Sequence, residues 1–196
     1  MNEAGPIEDF GYMVHPTIMA THSFGNAPAL DVLLVPGGIG NVALEQANNT
    51  SVEDFIRQRY PKLDYLVSVC TGAGSLAKAG VLEGRRATSN KGAWDWVTKQ
   101  GTNVTWVPSA RWVVDGNIWT SSGVSAGTSP AMALGIDMAY TFLSHVYGAD
   151  DQALINTMNG IEYAPHLDAH WDPFSVVHKA CLRFLECWSG RAWANN

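Results

Sequence analysis

The sequence predicts an α/β fold, a mostly parallel sheet covered by helices on both faces, and three observations carry that expectation. Asp31-Val-Leu-Leu-Val35 and Tyr65-Leu-Val-Ser-Val69 are short apolar runs without apolar–polar alternation, so both read as strands buried on two sides. Each run ends in small residues, Pro36-Gly37-Gly38 and Cys70-Thr71-Gly72-Ala73-Gly74, which let the chain turn sharply. Helical patterns separate the runs, and buried strands alternating with helices indicate a parallel sheet.

The elements follow in chain order. Ser51 reads as the cap of a helix from Val52 to Tyr60, with Asp54 as its capping-box partner, and Pro61 stops it. After the strand Tyr65–Val69 and the turn at Cys70, a helix runs to about Ala79 and Gly80 ends it. Arg86-Ala-Thr88 reads as a short strand, followed by a helix near Gly92–Lys99. Asn103–Val107 and Arg111–Val114 read as extended. Asp115-Gly116 is a hairpin turn, and Asn117–Thr120 returns as a strand. Ser129-Pro130 is an N-cap with a proline in the first helical position, opening a long apolar helix toward Tyr147. Asp150 to Met158 is helical. Phe174 to Trp188 reads as an amphipathic closing helix, with Val177, Ala180, Cys181, Phe184 and Leu185 on one face.

Composition narrows the function classes. The chain has 196 residues, 46% of them hydrophobic and 15% charged, enough for one well-buried domain spanning the whole chain. The net charge of −6 and the lack of any basic run argue against nucleic acid or an anionic membrane surface as partner. No apolar stretch is long enough to span a bilayer. The start, Met1-Asn-Glu-Ala-Gly-Pro6, has neither a charged segment nor an apolar run, so no leader peptide is expected. Three cysteines, Cys70, Cys181 and Cys187, make no disulfide framework, and a reducing cytoplasm is the expected compartment.

Cys70 is the first candidate for a reactive group. A sharp strand-to-helix turn pushes one side chain into a cleft and aims backbone N–H groups at whatever that side chain attacks. Here the presented group is a thiol, whose thiolate form a helix N-terminus favours. Cys181 and Cys187 read as small core hydrophobes. His166-Leu-Asp168-Ala-His170 places three ligand-type residues in five, yet no second cluster accompanies them, so no metal and no cofactor are expected. Gly37-Gly38-Ile39-Gly40 lacks the spacing of a dinucleotide loop and any Walker lysine.

Four motifs in order resemble the ThiJ/PfpI superfamily: Leu34-Val-Pro-Gly-Gly38, Val69-Cys-Thr-Gly72, Leu76-Ala-Lys-Ala-Gly-Val-Leu-Glu-Gly-Arg-Arg-Ala-Thr88 and Thr120-Ser-Ser-Gly-Val-Ser-Ala-Gly127. Asn90-Lys91, Ala110-Arg-Trp-Val-Val-Asp-Gly116 and Ile161-Glu-Tyr163 … Trp171-Asp-Pro-Phe174 resemble its isocyanide hydratase-like branch, in the fungal form. The resemblance implies a class I glutamine amidotransferase-like fold, a flavodoxin-like three-layer sandwich, and a homodimer. It implies Cys70 as nucleophile, with an oxyanion pocket from the amides of Thr71 and the Gly37-Gly38 loop at the head of the Gly72 helix. Thr71 is also implied to hydrogen-bond the substrate. It stands where protease-like relatives carry a His, which speaks against a Cys–His peptidase.

The N-terminus departs from that pattern. Family members begin with a strand, a helix and a further strand before the region of His22, and the first strand delivers an Asp or Glu near the cysteine. Gly5-Pro6 resembles the end of that segment, which puts Asn2 at the acid's place with Glu3 beside it. The N-terminal strand–helix region therefore reads as truncated, with a sheet one strand short. The resemblance sets the tail near the site, so Glu162 or His166 is expected to supply the proton-transfer group in the acid's place. Three function readings stay open: a cysteine-dependent hydratase or lyase adding water to a small isocyanide or 2-oxoaldehyde, a non-catalytic or redox-sensing relative without its acid partner, and a specialised biosynthetic enzyme.

Overall fold

The computed structural model describes residues 19–123, 134–170 and 172–180. The predicted helix start at Ser129-Pro130, the acid candidates Asn2 and Glu3, and Cys181 and Cys187 lie outside these residues. Strand β1 (Val32–Val35) leads through Pro36-Gly37-Gly38 into helix α1 (Ile39–Gln46). Helix α2 (Ser51–Arg59) follows, then β2 (Tyr65–Val69), α3 (Gly72–Lys78), β3 (Arg86–Ala87), α4 (Trp94–Val97), β4 (Thr105–Trp106), β5 (Trp112–Asp115) and β6 (Ile118–Ser121). Helices α5 (Leu134–Tyr147), α6 (Gln152–Gly160) and α7 (Phe174–Val177) complete the order.

The main sheet runs β1-β2-β6-β5. β1, β2 and β6 are parallel, and β5 returns antiparallel beside β6 through the Gly116 turn, where φ is 61°. β3 and β4 form a separate parallel pair. Period-two alternation splits the strand side chains between two cores. Leu66 and Ile118 point to one face and pack with Val35, Ile56, Leu76 and Leu82. Val67 and Trp119 point to the other and pack with Trp112 and Met138, with Phe142 of α5 against them. The sheet thus lies between α2–α3 and α5. Among the described residues β1 ends the sheet, and Val32 and Leu34 on its α5 side are exposed.

Local differences from the sequence expectations have simple causes. α1 was not anticipated: the loop glycines obscure a helix whose side chains are only half-buried or exposed. The cap of α2 falls one residue early, at Thr50, whose hydroxyl donates to Asp54 while Asn49 Oδ1 accepts from the Ser51 amide. Pro61 does not stop the chain dead but sits in a tight helical turn, Tyr60–Lys62. Of the closing helix predicted from Phe174 to Trp188, the described residues form the turn Phe174–Val177, which stops ahead of Lys179 at φ 54°; residues 181–188, with Phe184 and Leu185, lie outside the described residues.

The chain after α6 is fastened by polar contacts. Arg111 pairs with Asp137 of α5 at 2.5 Å, both side chains almost wholly buried. The second oxygen of Asp137 accepts from the Tyr163 hydroxyl and from the His166 amide at 2.8 Å. Burial and this carboxylate push the Tyr163 phenol well above its ordinary pKa. Arg111 N donates to Ala169 O, and Asp172 N to Ser109 O.

Leu66 and Leu34 separate core from edge. Leu66→Ala empties a fully buried site on the central β2 and is expected to cost about 2–5 kcal/mol. Leu34→Ala, at a residue 53% exposed on the end strand, is expected to cost under about 1 kcal/mol. Urea denaturation of the two variants checks the contrast.

Candidate functional site

Four strands end at one place. The carboxyl ends of β1, β2, β6 and β3 run into Pro36-Gly37-Gly38, Cys70-Thr71, Ser122-Gly123 and Thr88-Ser89-Asn90. In open α/β sheets the crevice beyond the carboxyl ends of the strands is where ligands bind.

Cys70 occupies the turn between β2 and α3 with φ 61°, a left-handed conformation that costs a non-glycine residue about 1–3 kcal/mol. Its peptide is held on both sides. Its N–H donates to Ser121 O at 3.1 Å and Ser122 O at 3.3 Å, and its carbonyl accepts from Ser89 Oγ at 2.7 Å. The neighbouring backbones are crowded. A Cβ on Gly37 would stand 2.4 Å from Thr71 N and 2.6 Å from Cys70 Cβ, and one on Gly72 would stand 2.3 Å from Val35 O. Only glycine fits at either position, and each glycine lets the β1 loop and the head of α3 close on one another.

The thiol is half-buried. The point where a Gly123 side chain would begin lies 3.6 Å from Cys70 Sγ and 2.3 Å from Asn90 Nδ2. The other end of the Asn90 amide accepts from Ala93 N at 3.0 Å, which fixes Nδ2 as the end facing this space. Asn90 and Gly123 are walls of a cavity of about 90 Å³ that Ser122, Phe174 and His178 also line.

Thr71 is buried, and its hydroxyl points inward. It accepts from Gly38 N at 2.8 Å and lies 3.0 Å from Asn41 Oδ1, which can take its proton. The Gly38 amide is therefore engaged by Thr71, while the amides of Thr71 and Gly72, opening α3, have no acceptor within the helix. Behind the cysteine, the Lys91 ammonium is fully buried. It donates to Ser122 Oγ at 2.6 Å, Thr88 Oγ1 at 2.8 Å, and Ser89 O and Ala110 O at 2.9 Å, and it faces Asp172 Oδ2 at 3.3 Å. Burial lowers the Lys91 pKa to about 8, against the opposing pull of Asp172.

The structure thus brings together Cys70, Thr71, Gly37, Gly38 and Gly72. His166 and Glu162 are exposed and do not line the cavity. His166 is anchored through its backbone to Asp137, and Glu162 sits in a turn at φ 53°. Asp168 accepts from the backbone and the ring of His170, which holds its carboxyl below the usual range. Asn90, Ser89, Lys91 and Asp172 were not singled out by chemistry. A run of polar residues, Thr88 to Lys91, directly after a buried strand was the available signal, since polar groups at such a strand end need partners or a ligand.

A profile of the DJ-1/PfpI family matches residues 11–136. The chain belongs to the DJ-1/PfpI family. Isonitrile hydratase of Pseudomonas putida is 37% identical over 146 residues, 74% of this chain and 57% of that protein. A deglycase of Pyrococcus horikoshii is 37% identical over 101 residues, 52% of this chain and 57% of that protein. A crystal structure of a ThiJ/PfpI family protein from Pseudomonas syringae superposes with a TM-score of 0.60 at 25% identity, covering 91% of this chain and 71% of that one. The chain matches a little over half the length of these two curated relatives. The three-layer, mostly parallel architecture above is the flavodoxin-like arrangement of the family.

Two outcomes follow from this geometry. Gly37→Ala is expected to displace the Cys70–Thr71 backbone and to lower both the thermal midpoint and the rate at which iodoacetamide alkylates Cys70. Gly40→Ala, with no atom within 4 Å of the added carbon, should leave the rate unchanged. The second concerns pH. The folded Lys91 gives up its proton near pH 8, and a free lysine does so near 10.5. Between those values the unfolded chain binds more protons, so this group makes stability rise with pH. Its cost is fully present below pH 8 and gone above pH 10.5. Urea midpoints from pH 7 to 10 are expected to rise relative to a Lys91→Met/Asp172→Asn double variant.

Proposed function

We propose that this DJ-1/PfpI protein is a cysteine-dependent hydratase of small electrophiles, isonitriles first and 2-oxoaldehydes second. The observation that carries the reading is Cys70 itself: a half-exposed thiol held in a left-handed turn at the convergence of four strand ends, beside a small cavity. A strained residue is retained where surrounding structure over-determines it, and such residues cluster at reactive sites. The likeness to an isonitrile hydratase supports the first substrate class, and the likeness to a deglycase supports a carbonyl carbon as the second.

In the proposed reaction the Cys70 thiolate attacks the terminal carbon of R–N≡C. A C–S bond forms, the carbon takes a proton, and a thioimidate R–N=CH–S results. Water adds to that carbon, its hydroxyl to carbon and its other proton to nitrogen; the hydroxyl then gives up its proton as the C–S bond breaks, which restores the thiolate, returns the proton taken up in the first step and leaves the N-formamide R–NH–CHO. The sum is one isonitrile plus one water. Charge grows first on the isonitrile carbon, where the proton quenches it, then on the nitrogen as water adds, and last on the added oxygen; the amides of Thr71 and Gly72 with Asn90 Nδ2 are the proposed donors to the nitrogen and oxygen. Gly38 acts at one remove, by orienting Thr71.

Turnover of a small isonitrile and of methylglyoxal, followed by formation of formamide or hydroxy acid, tests the reading. Cys70→Ser is expected to lose on the order of a thousandfold in kcat/KM. Asn90→Ala is expected to lose on the order of a hundredfold, mostly in kcat. Wild-type turnover by Cys70→Ser would end the proposal.

A further inference from the structure

The buried ammonium behind the site has no part in the reaction just described. A fully buried lysine–aspartate pair is costly to desolvate, and apolar residues of equal volume often replace such pairs without loss of stability. Its place in this fold therefore calls for a reason other than holding the core together.

The hydrogen bonds supply one. Lys91 Nζ grips Ser89 through its carbonyl at 2.9 Å and Ser122 through its hydroxyl at 2.6 Å. These two residues hold the two ends of the Cys70 peptide: Ser89 Oγ donates to Cys70 O at 2.7 Å, and Cys70 N donates to Ser122 O at 3.3 Å and to the adjacent Ser121 O at 3.1 Å. The hydroxyl that accepts from Lys91 in turn donates a hydrogen bond to Asp172 Oδ2 at 2.7 Å. Asp172 is fixed in turn, with Oδ1 accepting from Phe174 N and the main-chain oxygen accepting from Ser175 Oγ. Thr88 Oγ1, the third short contact of the ammonium, donates onward to Val107 O. One cation thus ties the segment after β3, the end of β6 and the chain around Asp172 into a single polar knot. Both clamps on Cys70 belong to it.

We propose that Lys91, paired with Asp172, is a positioning residue for Cys70. It sets the spacing between Ser89 and Ser122 and thereby holds the cysteine peptide in the left-handed conformation that presents the thiol beside Asn90. The inference rests on Cys70 being the reactive group proposed above. The depressed Lys91 pKa agrees with an ammonium held in place by geometry against the cost of its burial. Deprotonated Lys91 would keep fewer donors for the same five acceptors, and the clamps would loosen.

The test uses Lys91→Met/Asp172→Asn, which removes both charges together and leaves neither buried alone. Iodoacetamide alkylation of Cys70, followed by mass spectrometry against pH, is the primary readout, with the urea midpoint beside it. The expected result is a cooperatively folding variant whose Cys70 is alkylated about tenfold or more slowly, with a displaced pH profile. Alkylation at the wild-type rate with the wild-type profile would overturn the proposal. Should the double variant not fold, Ser89→Ala takes its place: it keeps the ion pair and removes only the bond to the Cys70 carbonyl. That variant is expected to slow alkylation about threefold, the worth of one hydrogen bond, and a wild-type rate overturns the proposal equally. Alkylation requires no substrate, so it judges the positioning role separately from turnover. A Cys70→Ser protein with full turnover would remove the nucleophile reading and leave the alkylation result standing.

Discussion

Two loops approach until only hydrogen atoms fit between them, and the site depends on that approach. β1 and β2 run side by side with Val35 opposite Ser68, so their carboxyl ends stop at the same level. The chains beyond must then pass each other within backbone contact. Gly37 meets the Thr71 amide and Gly72 meets the Val35 carbonyl, at separations that leave no room for a side-chain carbon. Once the glycines permit this, Cys70 has no ordinary backbone conformation open to it: the chain must reverse from strand to helix within one residue, and the left-handed region is what remains. The partial exposure of the Cys70 thiol is thus a consequence of strand register.

Register has a second consequence, at the far side of the turn. Parallel pairing of β2 with β6 places Val69 opposite Ser121, so the peptide after Val69 lands on the carbonyls of Ser121 and Ser122. Ser122 and Gly123 come directly after the last residue of β6, which is why a small polar residue and a glycine stand against the thiol. Strand ends in a parallel sheet expose backbone groups that water cannot reach in a covered fold. Serine and threonine hydroxyls, the Asn90 amide and the Lys91 ammonium satisfy them here. The same demand explains the concentration of buried polar residues at this edge: Thr88, Ser89, Thr120, Ser121 and Ser122 are all fully buried and each bonds a backbone group.

Much of this was legible before the coordinates. The apolar runs at Val32–Val35 and Tyr65–Val69, the Asp115-Gly116 turn and the small residues after Cys70 carry local signals strong enough to name strands, hairpin and elbow. Turn chemistry is read from two or three residues, and no distant part of the chain can contradict it. What stayed hidden depends on contacts between remote segments. Asn90 is an ordinary helix-capping residue by sequence, and nothing local says that its other amide end points to the space by Gly123 that the sulfur of Cys70 also borders. Lys91 would be assigned to solvent by any composition rule, because lysine is almost never fully buried unless paired, and its partner lies far along the chain. His166 was proposed for the site as a stand-in for the missing N-terminal acid, whereas its backbone binds Asp137 and the residue is exposed. α1 was missed because most of its periodic residues are only half-buried, so the pattern that betrays a core-facing helix is weak.

The chain after α6 shows how a segment with few large core residues still finds one register. Leu167 and Val177 are exposed, so among the described residues hydrophobic burial supplies little of the fastening between 161 and 178. Two buried charges do instead. Asp137 collects Arg111, the Tyr163 hydroxyl and the His166 amide, and Lys91 reaches Asp172 directly and through Ser122. Between these points Arg111 N meets Ala169 O and Asp172 N meets Ser109 O, a short lacing of main chain that would slip by a residue if apolar contacts alone held it. An ion pair permits one alignment, since any other leaves a charge buried without its partner, at several kcal/mol. Directional contacts therefore give this segment its specificity where area gives little. The alignment they select is also what places Phe174 and His178 on the cavity wall beside the cysteine, so the fastening of the tail and the shape of the site are set by the same pair of carboxylates.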